Sequence, residues 1–235
     1  MPRLDSLFKN ITALVFDLDD TLWPCMPTIN RAEQASYQWL QQNYSRISDH
    51  YTEAGIFEYR KTFMKSHPQF RVDLSLMRKE MLAQLARDFG YEESPMVEEG
   101  FELFYRLRHD VHFYDDVFPV LDQLKSRYKM GSISNGNASA GLTRLNDYFY
   151  SYINAADVMA SKPDPIIFLE FCKRMEVTPE QCLYIGDDPV YDIQGASNVG
   201  MKTLWVNRVS KQWPEKITPA DAEMSDLLQL PALLE

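Results

Sequence analysis

The chain has no stretch of 18 apolar residues, so no membrane-spanning helix is expected. Its start, Met1-Pro2-Arg3-Leu4-Asp5, leads into no signal-type apolar region. Cysteine is scarce: Cys25, Cys172 and Cys182 are odd in number and form no CxxC pair. That usage fits a reduced, cytoplasmic protein better than a disulfide scaffold or a zinc site. The four histidines, His50, His67, His109 and His112, show no ligand spacing and read as structural or surface residues. Basic residues are also in deficit, with 24 Lys and Arg against 34 Asp and Glu and a net charge of -10. A general nucleic-acid or anionic-membrane surface needs clustered cations, so neither partner is expected. There are no internal repeats and no low-complexity segment.

What remains is an ordinary globular composition, 45% hydrophobic and 25% charged over 235 residues. The most informative stretch is Asp17-Leu18-Asp19-Asp20-Thr21, preceded by the apolar run Ala13, Leu14, Val15 and Phe16. Such a run reads as a buried strand of a parallel sheet, here over residues 12–17. The carboxylates then fall at the strand's carboxyl end, where ligand sites form in open α/β sheets. Leu22 to Pro27 holds two prolines and reads as a loop. From Ile29 to about His112 the period is helical. The stripe Leu74, Met77, Met81, Leu82 and Leu85 is stopped by Gly90. Pro95 opens a further helix with Val97, Phe101, Phe104, Tyr105 and Leu107 inside. Its aromatic residues read as core, and the block predicts a bundle of about four helices.

A strand–helix rhythm follows. Helix is expected over Val117–Arg127, strand over Lys129–Ser134, a short helix from Ala138 to Leu145, and strand over Tyr152–Ala156. Helix is then expected from Ile166 to Met175, and Thr178-Pro179-Glu180 opens a separate turn with Thr178 as its cap and Pro179 at the first helical position. Strand Cys182–Gly186, helix Tyr191 to Val199 and strand Lys202–Asn207 complete the rhythm. Residues 208–222 read as a mobile surface segment and Met224–Leu234 as a helical end. The fold class expected is α/β, a doubly wound parallel sheet with an inserted helical domain. Residues 1–23 and 113–235 form the core, and 24–112 the insert.

Four strand ends carry polar residues: Asp17 to Thr21, Ser134-Asn135-Gly136-Asn137, Lys162-Pro163, and Gly186-Asp187-Asp188-Pro189-Val190-Tyr191-Asp192. Taken singly, each has a bland reading as a turn, a cap or a surface lysine. In this order they resemble the haloacid dehalogenase superfamily, whose members are mostly phosphatases. The motifs are DxDxT, a Ser after a strand, Lys-Pro, and GDxxxxD. The resemblance covers the whole chain and implies a helical cap in the insert.

The resemblance implies Asp17 as nucleophile, forming an aspartyl-phosphate, and Asp19 as the acid that protonates the leaving oxygen and later activates water. It assigns Mg²⁺ to the Asp17 carboxylate, the Asp19 backbone carbonyl and the Asp187 carboxylate, with Asp188 and Asp192 as nearby support. Ser134 and the Asn135 amide would bind phosphoryl oxygens, and Lys162 would offset the charge on Asp17. Asp20 has no assigned role. Dehalogenases of the superfamily lack an acid at the position of Asp19, which favours phosphoryl transfer here. The expected partner is a small phosphorylated metabolite, which a local cation and a metal can hold despite the net negative charge. The protein is expected as a monomer or homodimer. The runs Ser134 to Ala138, Asn146-Asp147-Tyr148-Phe149 and Gly186-Asp187-Asp188 with Gly200-Met201 resemble bacterial flavin mononucleotide phosphatases and their sugar-phosphate relatives. A phosphomutase and a non-catalytic binding member are the alternatives.

Overall fold

A computed structural model describes residues 8–235. Two compact units are present: the chain up to Pro24 together with His112–Glu235, and Cys25–Val111. Among the described residues of the first unit, six strands form one sheet. They are β1 (Ala13–Phe16), β2 (Lys129–Ser134), β3 (Ser151–Asn154), β4 (Cys182–Gly186), β5 (Lys202–Val206) and β6 (Ala222–Met224). Their order is β3-β2-β1-β4-β5-β6, with all pairings parallel. β1 is fully buried between β2 and β4, as its unbroken apolar run requires. In register, Val15 faces Gly131 on one side and Tyr184 on the other, and Phe16 faces Ser132 and Ile185. The chain builds outward from β1 through β2 and β3 on one side and through β4, β5 and β6 on the other, so the strand order reverses between β1 and β4, whose carboxyl ends are the switch point where such folds place ligands. Ile133, Ile153, Phe168, Phe171 and Tyr184 lie in one core cluster on this sheet.

The second unit is helical: α1 (Cys25–Asn43), α2 (Glu53–Ser66), α3 (Leu74–Phe89) and α4 (Glu93–Arg108). On α3 the apolar stripe is buried at Met77, Met81, Leu82 and Leu85. Asp73 caps its start by accepting from the Leu76 amide at 2.8 Å. Gly90 ends it at φ +68°, the left-handed conformation that glycine adopts without a Cβ penalty. Burying each leucine or methionine of the stripe contributes roughly 1.5–3 kcal/mol. No helix among the described residues is long and apolar enough to cross a membrane.

Several elements differ from their sequence expectations for local reasons. Pro27 lies inside α1, not in a loop. It occupies the first turn, where the amide that proline lacks has no intrahelical acceptor in any case. Residues 138–145 form two separate 3₁₀ turns, Ala140–Leu142 and Arg144–Asp147. The extended Thr143 between them caps the second turn, accepting from the Leu145 amide at 3.2 Å. The helix expected over 191–199 begins as a wide π-type turn over Pro189–Gln194. Ala222–Met224 is an edge strand whose three residues carry no readable alternation. Thr178 and Gln181 form the capping box ahead of β4, with Pro179 at the first position as expected.

Candidate active site

The site is built from the carboxyl ends of β1, β2 and β4 and the segment after β3. Lys162 is its hub. The side chain is 3% exposed, and Nζ donates to Asp17 Oδ1 at 2.6 Å, Asp192 Oδ1 at 2.7 Å, Tyr184 Oη at 3.0 Å and the Ile133 carbonyl at 3.1 Å. A buried ammonium is tolerated only when partners of this kind surround it. Burial opposes its charge, but the carboxylates of Asp17 and Asp192 outweigh burial and hold its pKa well above the ordinary lysine value. The backbone of Lys162 is fixed as well. Asn135 Nδ2 donates to the Lys162 carbonyl at 3.0 Å, and the Lys162 amide donates to Asn135 Oδ1 at 2.7 Å. The Asn135 side chain therefore positions the lysine, a task that the resemblance did not assign to it.

Asp17 is 6% exposed. Burial pushes its carboxyl well above the usual carboxylate range, against the pull of Lys162 and with a further push from Asp192. Two residues on, Asp19 Oδ1 accepts the Trp23 indole N–H at 2.9 Å. The turn between them places Asp20 at φ +61°, with its amide donating to the Trp23 carbonyl at 2.7 Å. Ser134 is buried at the end of β2, and its Oγ accepts from the Gly136 amide at 3.0 Å.

The GDxxxxD segment is explained by its own geometry. A Cβ at Gly186 would lie 2.5 Å from Asp192 Cγ, so only glycine leaves room for that carboxylate beside the strand. Asp188 accepts from the Val190 and Tyr191 amides at 2.8 Å each, which makes it the cap of the π-type turn. Asp192 Oδ2 accepts from the Asp188 amide at 3.0 Å, while its Oδ1 takes Lys162 and, at 3.1 Å, the Tyr184 hydroxyl. Both oxygens of Asp192 are thus engaged within the protein. Sequence reasoning gave Asp192 a peripheral place and missed Tyr184. Tyrosine within an apolar strand reads as core, and its hydroxyl's partners come from three distant segments. Burial first, then the Asp192 carboxylate, raises the Tyr184 pKa well above its ordinary value, so it stays a donor.

Asp187 follows at the end of β4. Its carbonyl accepts the Trp205 indole N–H at 2.8 Å, and its Oδ2 lies 3.4 Å from Lys211 Nζ. Burial, reinforced by Asp192 and opposed by Lys211, moves its pKa up to about 6. One carboxylate oxygen from each of Asp17, Asp187 and Asp192 lies within 4.8 Å of the others. An all-oxygen, anionic donor set of this kind fits a hard divalent cation such as Mg²⁺ and not a thiophilic metal. Asp17 and Asp187 are the pair suited to hold it, since Asp192 is committed to Lys162 and Tyr184.

The haloacid dehalogenase-like hydrolase family matches residues 11–200. The 5-amino-6-(5-phospho-D-ribitylamino)uracil phosphatase YigB of Escherichia coli is 27% identical over 95% of this chain and 96% of its own length. The glyceraldehyde 3-phosphate phosphatase of Methanopyrus kandleri is 28% identical over 84% of each. Among solved structures, 2-haloacid dehalogenase from Pseudomonas syringae pv. Tomato DC3000 superposes with a TM-score of 0.88 at 35% identity, over 95% of this chain and 98% of its own.

Proposed function

The chain belongs to the haloacid dehalogenase-like hydrolase family, and from that premise we propose that it hydrolyses a small phosphate monoester, with Asp17 as nucleophile and Mg²⁺ as cofactor. The observation that carries this reading is the pair of acids on one turn. Asp17 is seated on the Lys162 ammonium, and Asp19, two residues on, is held by the Trp23 indole N–H. An alkoxide leaving phosphorus needs a proton, and a halide leaving carbon does not. Two relatives named as phosphatases, at 27% and 28% identity, support the same reading.

In this mechanism Asp17 attacks phosphorus and Asp19 gives its proton to the departing oxygen. The product alcohol leaves Asp17 phosphorylated. Asp19, now a carboxylate, takes a proton from water as that water attacks the phosphoryl group, and inorganic phosphate is released with Asp17 restored. Lys162 neutralises Asp17 through both steps, while Ser134 and the Asn135 amide hold the non-bridging oxygens. Bound Mg²⁺ would lower the charge barrier between the anionic nucleophile and the anionic ester. Asp17 and Asp187 would hold it by their carboxylates, with the Asp19 carbonyl. The candidate substrates are flavin mononucleotide and related ribityl or sugar phosphates.

A 2-haloacid dehalogenase is the second reading, favoured by the solved dehalogenase structure at TM-score 0.88 and 35% identity. One experiment separates the two. Purified protein is assayed for phosphate release from a panel of phosphorylated metabolites with and without Mg²⁺, and for halide release from 2-chloropropionate. Phosphate release that requires Mg²⁺ and is lost in Asp17→Asn is expected. Chloride release without phosphate release would replace this reading with the dehalogenase.

A further inference from the structure

The turn that carries Asp17 and Asp19 pairs two of its amides within itself. Asp20 N donates to the Trp23 carbonyl at 2.7 Å and Leu22 N to the Leu18 carbonyl at 2.8 Å. Its last two carbonyls find partners elsewhere. The Leu22 carbonyl accepts from the Tyr114 amide at 3.0 Å, and the Thr21 carbonyl accepts from Arg208 Nε at 3.0 Å. The Thr21 hydroxyl anchors nothing: Oγ1 is buried with no hydrogen-bond partner among the described residues. The side chain that holds this corner is therefore the arginine, next to the backbone bond from Tyr114.

Arg208 is seated on three sides. Its Nη2 donates to Asp116 Oδ2 at 2.9 Å, and the guanidinium lies 3.9 Å from the centre of the Tyr114 ring. Asp116 Oδ2 also accepts the Leu227 amide at 2.6 Å. The Arg208 and Asp116 side chains are only 11% and 8% exposed. With one edge on a carboxylate and one face on a ring, the planar fork leaves Nε aimed at the Thr21 carbonyl. A lysine offers neither the fork nor the flat face. Four segments distant in sequence, at Thr21, at Tyr114 to Asp116, at Arg208 and at Leu227, meet at this one group.

We infer that Arg208 is a positioning residue for Asp19: by holding Thr21 it fixes Trp23, whose indole N–H in turn holds the Asp19 carboxylate. Asp17 is secured separately by Lys162, so Arg208 governs proton transfer and not nucleophilic attack. The inference rests on the phosphatase reading for its kinetic consequence alone. A misplacement of ~1 Å at a reacting group costs on the order of 100-fold in rate.

The test uses Arg208→Gln, Arg208→Lys and the milder Asp116→Asn in the full chain. In rapid-mixing experiments, the first turnover with 4-nitrophenyl phosphate, whose leaving group needs no proton, stays within about twofold of the parent. The first turnover with an alkyl phosphate falls about 10- to 100-fold, with little change in KM, and Arg208→Lys does not restore it. Equal losses on both esters, or none on either, overturn the inference. A second measurement does not depend on turnover. Solvent exchange of the Trp23 indole proton, assigned by NMR with Trp23→Phe as reference, accelerates at least tenfold in Arg208→Gln and in Asp116→Asn. Unchanged exchange overturns the inference whatever the protein's substrate proves to be. Failure of the parent on every phosphate ester overturns only the phosphatase reading.

Discussion

The Tyr184 hydroxyl donates to Asp192 Oδ1 at 3.1 Å, and Lys162 Nζ reaches the same oxygen at 2.7 Å. The three groups come from β4, from the π-type turn after it and from the segment after β3, and all are buried. Their contributions are unequal. In Tyr184→Phe, Lys162 keeps two carboxylates and a carbonyl, so the expected loss is about 1 kcal/mol of stability with a several-fold drop in kcat. In Lys162→Met two buried carboxylates lose their counter-ion, with a loss of about 3–5 kcal/mol and no measurable turnover. Urea unfolding and steady-state kinetics on both variants check the ordering. Equal effects would remove Lys162 from the centre of the network.

Gly186→Ala tests the same network from the backbone. The added methyl lies 2.5 Å from Asp192 Cγ and displaces that carboxylate from Lys162. The expected cost is about 2–4 kcal/mol, with activity reduced as severely as in Asp192→Ala. Thermal unfolding and turnover measured side by side decide it. A variant that keeps both parent values would show that Asp192 has room to move.

Asp187 gives a pH dependence whose sign is fixed. Its pKa in the folded protein is about 6, against an ordinary carboxylate value of 3.8, and the groups that face it are Asp192, Lys211 and Asp20. Between about pH 4 and 6 the folded protein holds a proton here that the unfolded chain has lost. The stability this proton supplies is fully present below about pH 4 and is lost as pH rises through 6. Asp187→Asn removes the repulsion, so metal-free protein at pH 7.5 gains roughly 1–3 kcal/mol. Mg²⁺ is expected to raise the Tm of the parent and not of this variant. In the parent that rise shrinks as pH falls below about 6, because proton and cation compete for one carboxylate. Scanning calorimetry with and without Mg²⁺, from pH 5 to 8, reads all three outcomes.

Trp23→Phe separates the two acids of the turn after β1. Phenylalanine fills most of the buried site against Phe113 but has no N–H for Asp19. We expect a stability loss of about 1–2 kcal/mol and a fall in kcat of about tenfold, with KM for an alkyl phosphate nearly unchanged. A variant with parental kcat would free Asp19 from any dependence on that indole.

The sequence by itself determined the sheet's centre and its chemistry-bearing strand ends. Buried parallel strands must be apolar throughout, so Ala13–Phe16 and Cys182–Gly186 announce themselves, and acids directly after them have one end of the sheet to occupy. Lys129–Ser134 and the α3 stripe are legible for the same reason: local periodicity and burial agree. The three residues of β6 were illegible because an edge pairing supplied by β5 needs no pattern of its own.

At the candidate site, the spacing of the motifs singled out Asp17, Asp19, Ser134, Asn135, Lys162 and Asp187 as the residues expected to act. Only the tertiary structure decided what each side chain touches. It made Asn135 the brace of Lys162, Asp192 and Tyr184 the lysine's other partners, and Arg208 with Asp116 the clamp on Thr21. A pattern in sequence records local periodicity and the chemistry of single residues. Contacts between segments about 20 to 190 residues apart depend on how the sheet twists and which loop ends converge, and no local signal encodes that.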